Sequence, residues 1–117
     1  MPELSCLPNC TVIDLGERYD SLSLDSLNEV GSMLLMQARS VDPPRLILDM
    51  SQTKLIGSTF IELLVRTWRQ LIERHGELAL CGLQPFCAEV LRATRLETLW
   101  ECFPTRDKAL EAMDQRQ

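Results

Sequence analysis

Catalysis and metal binding both lean on histidine, and this chain has one, His75. A serine–histidine triad would have that single base to draw on, and it falls at a predicted helix end. Glycine is scarce as well, with five in 117 residues, and neither a P-loop nor a G-x-G-x-x-G run occurs. Ser58 follows a strand-like segment and opens a helix-like one, the setting of a hydrolase elbow. Ile56 and Phe60, however, occupy the two positions where that elbow needs glycine. No enzyme and no cofactor are expected.

Positive charge is also in short supply: 12 Lys and Arg stand against 17 Asp and Glu, a net −5. Phosphate backbones are bound by clustered cations. Only Arg66, Arg69, Arg74 and His75 gather here, and they read as the solvated end of a helix, so nucleic acid is not an expected partner. No apolar run approaches bilayer length. The segment Met1-Pro2-Glu3-Leu4 has neither the basic start nor the apolar stretch of a signal peptide. A cytoplasmic protein without membrane insertion is expected. The five cysteines (Cys6, Cys10, Cys81, Cys87, Cys102) are an odd number, and only Cys6-x3-Cys10 nears a zinc spacing. Reduced, buried thiols without a metal are the reading.

What is present is a core. Apolar residues make up 45% of the chain and charged residues 25%, which suits one globular domain over residues 1–117. Strand-like and helix-like segments alternate, predicting an α/β layer architecture. Thr11–Leu15 reads as a strand, preceded by a weak edge strand around Leu4–Leu7. Leu24, Leu27, Val30, Leu34 and Ala38 recur at helical spacing over residues 22–39, and Asp42-Pro43-Pro44 stops that helix. Arg45–Met50 has the short apolar run of a strand covered on both faces.

Ser51–Gly57 reads as a turn. The next helix places Ile61, Leu64, Trp68, Leu71 and Ile72 on one stripe and closes at His75-Gly76. Thr59 followed by Glu62 matches a capping box, setting the helix start within a residue or so of Ser58. Glu77–Cys81 is a further strand, and Pro85 opens a short helix to about Arg92. Leu99–Phe103 suits a last strand, and Pro104-Thr105 opens a terminal helix with Ala109, Leu110 and Met113 inward. Trp68 and Trp100 read as core.

Three stretches carry a resemblance. They are Leu48-Asp49-Met50-Ser51 through Leu55-Ile56-Gly57-Ser58-Thr59-Phe60, then Gly76-Glu77-Leu78-Ala79-Leu80-Cys81-Gly82, and then Leu91 to Phe103. In order and pattern this run resembles the STAS domain, the family of sulphate transporters and anti-sigma factor antagonists, over nearly the whole chain. The resemblance implies a STAS-type α/β fold, a central mixed sheet of four to five strands packed by about four helices. It also implies an anti-sigma factor antagonist-like role in signalling and transcription regulation, with a serine kinase/anti-sigma factor as partner.

The family's phosphoacceptor position falls on Ser58, with Thr59 beside it. Gly57 stands where the family has aspartate, and Phe60 where it has glycine. Phe60 reads either as a core residue or as an exposed anchor. Glu17, Tyr19 and Asp20 lie in the loop that approaches the phosphoacceptor helix in STAS folds. With Gly57, Thr59, Phe60 and Glu62 they form the expected partner-binding set. Gly57 and Phe60 keep a second reading open: a phosphorylation-independent STAS scaffold or a transporter-associated subunit.

Overall fold

The computed structural model describes residues 3–15, 18–19 and 24–115. The β1 strand, Glu3–Cys6, pairs antiparallel with β2, Thr11–Asp14. A two-residue β3, Arg18–Tyr19, precedes α1, Leu24–Ser40. Then come β4, Arg45–Asp49, β5, Leu55–Ile56, and α2, Ser58–Glu73. Next are β6, Glu77–Cys81, and α3, Pro85–Ala93, with a 3-10 turn at Leu96–Thr98. The described chain closes with β7, Glu101–Phe103, and α4, Arg106–Asp114. Five strands form one sheet in the order β1-β2-β4-β6-β7, parallel except for β1. The mixed α/β architecture is the one the strand–helix alternation implies.

The unbroken apolar run Leu46–Leu48 lies in β4, the central strand, where both faces are covered. Leu46, Leu48 and Met50 join Ile13, Leu78 and Leu80 in a core shared with α1, α2 and α3. Ile47 points the other way, with Val12, Ala79 and Cys81, against Ala109 and Met113 of α4. Period-two alternation thus divides one apolar strand between two cores. Three helices cover one face and a single helix covers the other.

Two glycines are forced by close approach. A Cβ on Gly76 would lie 1.9 Å from the Pro44 carbonyl oxygen, where the α2–β6 and α1–β4 connections touch. The left-handed residue closing α2 is His75 (φ 59), not Gly76. Gly82 is left-handed itself (φ 68), and a Cβ there would meet Ser51 Cβ at 2.9 Å.

Three details depart from the expected elements. Ser51–Gly57 is more than a turn: it contains β5, which pairs in parallel with β3. The α2 stripe is rotated, burying Phe60, Leu63, Leu64, Thr67 and Leu71, while Trp68 is half-buried and Ile72 exposed. Thr67 is tolerated inside because its hydroxyl donates to the Leu63 carbonyl at 2.8 Å.

The third concerns the thiols. None of the five cysteines is in a disulfide, but Cys6 and Cys102 are exposed because they sit on the two edge strands. Cys10, Cys81 and Cys87 are buried. Burial, with the neighbouring Asp49 charge, pushes the Cys81 thiol up to about 12, and burial also raises Cys10 and Cys87. Titration with an aromatic disulfide reagent should therefore modify Cys6 and Cys102 in the folded protein. The other three should react only after denaturation.

Candidate functional site

The site is built where β4 stops. Asp49 is the last residue of that strand, and one carboxylate oxygen, Oδ1, accepts the Ser51 N–H at 3.0 Å. The other, Oδ2, accepts Arg106 Nε at 2.9 Å and lies 2.8 Å from Arg106 Nη2, which also reaches Asp14 Oδ2 at 3.4 Å. Burial alone would raise the Asp49 carboxyl, but the Ser51 and Arg106 hydrogen bonds and the guanidinium charge hold it below its usual range. The chain is thereby turned out of the sheet. Met50 N–H donates to Cys81 O at 2.9 Å and Thr53 N–H to Met50 O at 3.0 Å. From α3, the Cys87 thiol donates to Thr53 O at 3.4 Å, and the Gln84 amide donates to Ser51 O. The segment that carries Ser58 is thus fastened at Ser51 and Thr53 before β5 delivers it to α2.

Gly57 is the N-cap of α2, in extended geometry (φ −111, ψ 176), and Ser58 is the first helical residue. The first backbone bond of the helix runs from Ile61 N–H to Gly57 O at 3.1 Å. No side chain caps this end. The expected Thr59–Glu62 capping box is therefore absent: Thr59 lies inside the first turn, two residues beyond the N-cap position from which its hydroxyl would cap. Ser58, Thr59 and Glu62 are exposed, and Gly57 is half-buried. The Ser58 hydroxyl has no hydrogen-bond partner among the described residues.

Phe60 is 0% exposed and belongs to the main core. As a partner contact it is corrected: the ring faces inward at the start of α2 and takes the core side of its two readings. Glu17 and Asp20 lie outside the described residues, as does the side chain of Tyr19. The Tyr19 backbone pairs with Ile56, which brings that loop alongside the strand leading to Gly57. Sequence reasoning missed the contribution of α1. Asn28, Gly31 and Ser32 face Thr59, Glu62 and Arg66 across a groove of about 250 Å³. The small residues at 31 and 32 were the available signal, since a Cβ on Gly31 would come within 3.2 Å of Leu63 Cδ1.

Among the described residues no group of histidine, cysteine and carboxylate side chains is placed to hold a metal. No helix among them is long and apolar enough to cross a membrane.

A mixed five-stranded sheet, three helices on one face and a hydroxyl at the exposed start of the second define an α/β module built around one helix end. The chain belongs to the STAS domain family, whose model matches residues 1–109. Its fold is that of anti-sigma factor antagonists. It is similar to the anti-sigma-factor antagonist (STAS) domain protein from Planctomyces limnophilus, at 29% identity and a TM-score of 0.84, covering 97% of each chain. A putative anti-sigma factor antagonist from Thermotoga maritima has a TM-score of 0.84 at 13% identity, covering 97% of this chain and 94% of that one. The unphosphorylated anti-sigma factor antagonist SpoIIAA has a TM-score of 0.82 at 15% identity, covering 98% of this chain and 97% of that one. No curated protein matches the chain significantly.

Two sets of measurements follow from this geometry. Phe60→Ala should cost about 3–5 kcal/mol in chemical denaturation, as for a ring removed from a core. Thr59→Ala should stay within about 0.5 kcal/mol, because no cap is lost. Arg106→Met should cost about 2 kcal/mol near neutral pH, leaving Asp49 and Asp14 without their shared cation. The Asp49 carboxyl is depressed in the folded state. Its contribution is therefore full above the unfolded value of about 4 and is lost as pH falls through the lower folded value. The gap between wild type and Arg106→Met in urea titrations should narrow over that acid range.

Proposed function

We propose that this chain is an anti-sigma factor antagonist-like protein-binding module that docks a serine kinase/anti-sigma factor on the exposed start of α2. In this reading Ser58 is the phosphoacceptor. The observation that carries it is the placement of Ser58: exposed, first in its helix, with a side-chain-free N-cap before it. A helix start carries N–H groups without intrahelical acceptors and a partial positive charge, which favour a phosphate there. Modification adds about 1.5 to 2 negative charges to a chain already at −5. The added charge repels an acidic partner and requires desolvation in any docked interface. Losing one central contact costs about 2 kcal/mol, roughly thirtyfold in affinity. Release then needs no change of fold.

The family supports this reading, because SpoIIAA, which shares the fold, has been solved in phosphorylated as well as unphosphorylated form. Glu62, Thr59 and Gly57 would form the partner face on α2, with Glu17, Tyr19 and Asp20 of the neighbouring loop beside them. The work of the domain is then binding rather than catalysis, in a cytoplasmic setting. Gly57 favours a second reading, a scaffold or transporter-associated subunit that is never phosphorylated. At the N-cap it offers no carboxylate to orient the serine or to meet a kinase.

The test is incubation with ATP and the serine kinase/anti-sigma factor of the same organism, read by intact mass and by binding. Wild type should gain one phosphate and lose affinity about thirtyfold. Ser58→Ala should bind and stay unmodified, and Ser58→Asp should bind more weakly. Phosphate on Gly57→Asp but not on wild type would replace the switch with the scaffold reading. Failure of wild type to bind the kinase would overturn the antagonist role.

A further inference from the structure

Large apolar side chains exposed singly are ordinary, so exposure alone marks no site. Among the described residues Leu4, Leu7, Met36, Ile72 and Phe86 are exposed in this way. Phe86 is set apart by its place. It is the second residue of α3 and 48% exposed, and α3 packs against β5, the strand that runs into Gly57 and Ser58. By contrast, Leu4 and Leu7 lie in or just after the edge strand β1, and Ile72 lies at the far end of α2.

The start of α3 is also fastened to the segment that carries Ser58. Gln84, its N-cap, donates from its side-chain amide to Ser51 O, and the thiol of Cys87, the residue after Phe86, donates to Thr53 O at 3.4 Å. Pro85 at the first helical position fixes the backbone that enters the helix. An aromatic carried on such a support loses little freedom when it docks. Charge gives a second distinction. The chain has 17 Asp and Glu, yet residues 50–57 and 82–88, which build this end of the fold, contain none. The carboxylates that flank these stretches, Asp49 and Glu89, each meet an arginine, Arg106 and Arg92. Lys54 stands exposed between them, with no ion pair among the described residues.

We propose that Phe86 and Lys54 extend the partner-binding face past β5 onto α3, with Phe86 as its aromatic anchor. This rests on the reading of Ser58 as the docking point of a serine kinase/anti-sigma factor, and it names the chemistry that partner presents. The Phe86 ring enters an apolar pocket on the partner, and carboxylates beside that pocket face Lys54. Aromatic residues are enriched in interfaces, and a few anchors buried there carry most of the binding energy. Opposite charges at the rim steer the encounter and fix its register. A partner that is acidic here also accounts for release: a phosphate on Ser58 sets negative charge against negative charge beside the patch.

The test uses the full chain and the serine kinase/anti-sigma factor of the same organism, with binding measured by calorimetry in the absence of ATP. Phe86→Ala should bind at least about tenfold more weakly, with an unchanged urea midpoint. Lys54→Glu should also weaken binding, and its deficit should shrink as salt rises from about 50 to 500 mM. Ile72→Ala, a similar truncation at the other end of α2, should bind as wild type. With ATP added, Phe86→Ala should raise KM for phosphorylation of Ser58 and leave kcat within about twofold, because the ring serves docking alone. If wild type binds and gains phosphate while Phe86→Ala or Lys54→Glu keeps wild-type affinity, this surface is overturned and the Ser58 reading stands. An equal loss in Ile72→Ala would overturn the surface as well. No binding by wild type would remove both.

Discussion

Asp49 ends a strand buried on both faces, and its two carboxylate oxygens are spent in different directions. One accepts the Ser51 N–H and starts the turn out of the sheet; the other accepts the Arg106 side chain. Through the first, the segment leading to Ser58 leaves the core at a fixed angle. Through the second, the start of α4 is held against the face that α4 alone covers. A charged group in this place would be a liability without those donors, since burial opposes ionisation. The same atoms therefore secure the thinner of the two cores and aim the segment that carries the candidate site.

Much of this arrangement was legible from local pattern. The unbroken apolar run Leu46–Leu48 marks a strand with no solvent face, and β4 is the middle strand. Pro85 at the first position of α3 and Thr105 capping α4 through the Lys108 N–H follow from preferences that act within a few residues. The start of α2 at Ser58 was also readable. What local pattern does not encode is pairing between distant short segments. The β3–β5 pair is two residues long on each side, too short to leave an alternation in the sequence. The orientation of Phe60 was likewise open, because an aromatic in a helix's first turn fits either side until the helix is seated on its sheet.

Arg106 is the clearest case of a residue invisible to sequence reading. It lies 57 residues from Asp49 and 92 from Asp14, and nothing near it in the chain announces either partner. Thr59 illustrates the opposite error. The spacing of Thr59 and Glu62 fits a capping box, yet the helix starts two residues too early for it, with Gly57 as its N-cap. Motif spacing constrains which bonds are possible; the backbone at the N-cap decides which are made.

The contact between the Pro44 carbonyl and Gly76 bears on how such a domain can diversify. Two connections on one end of the sheet are pressed backbone to backbone, so lengthening either would push the other aside. The hydrogen bond from Glu77 N–H to the same Pro44 oxygen, at 2.9 Å, fixes their separation further. Insertions are thus unwelcome at that pole, and loop length there is effectively frozen. Descendants of this fold would have to acquire new recognition surfaces at the opposite pole, where the connection between β4 and α2 is tied by side chains that can be exchanged one at a time.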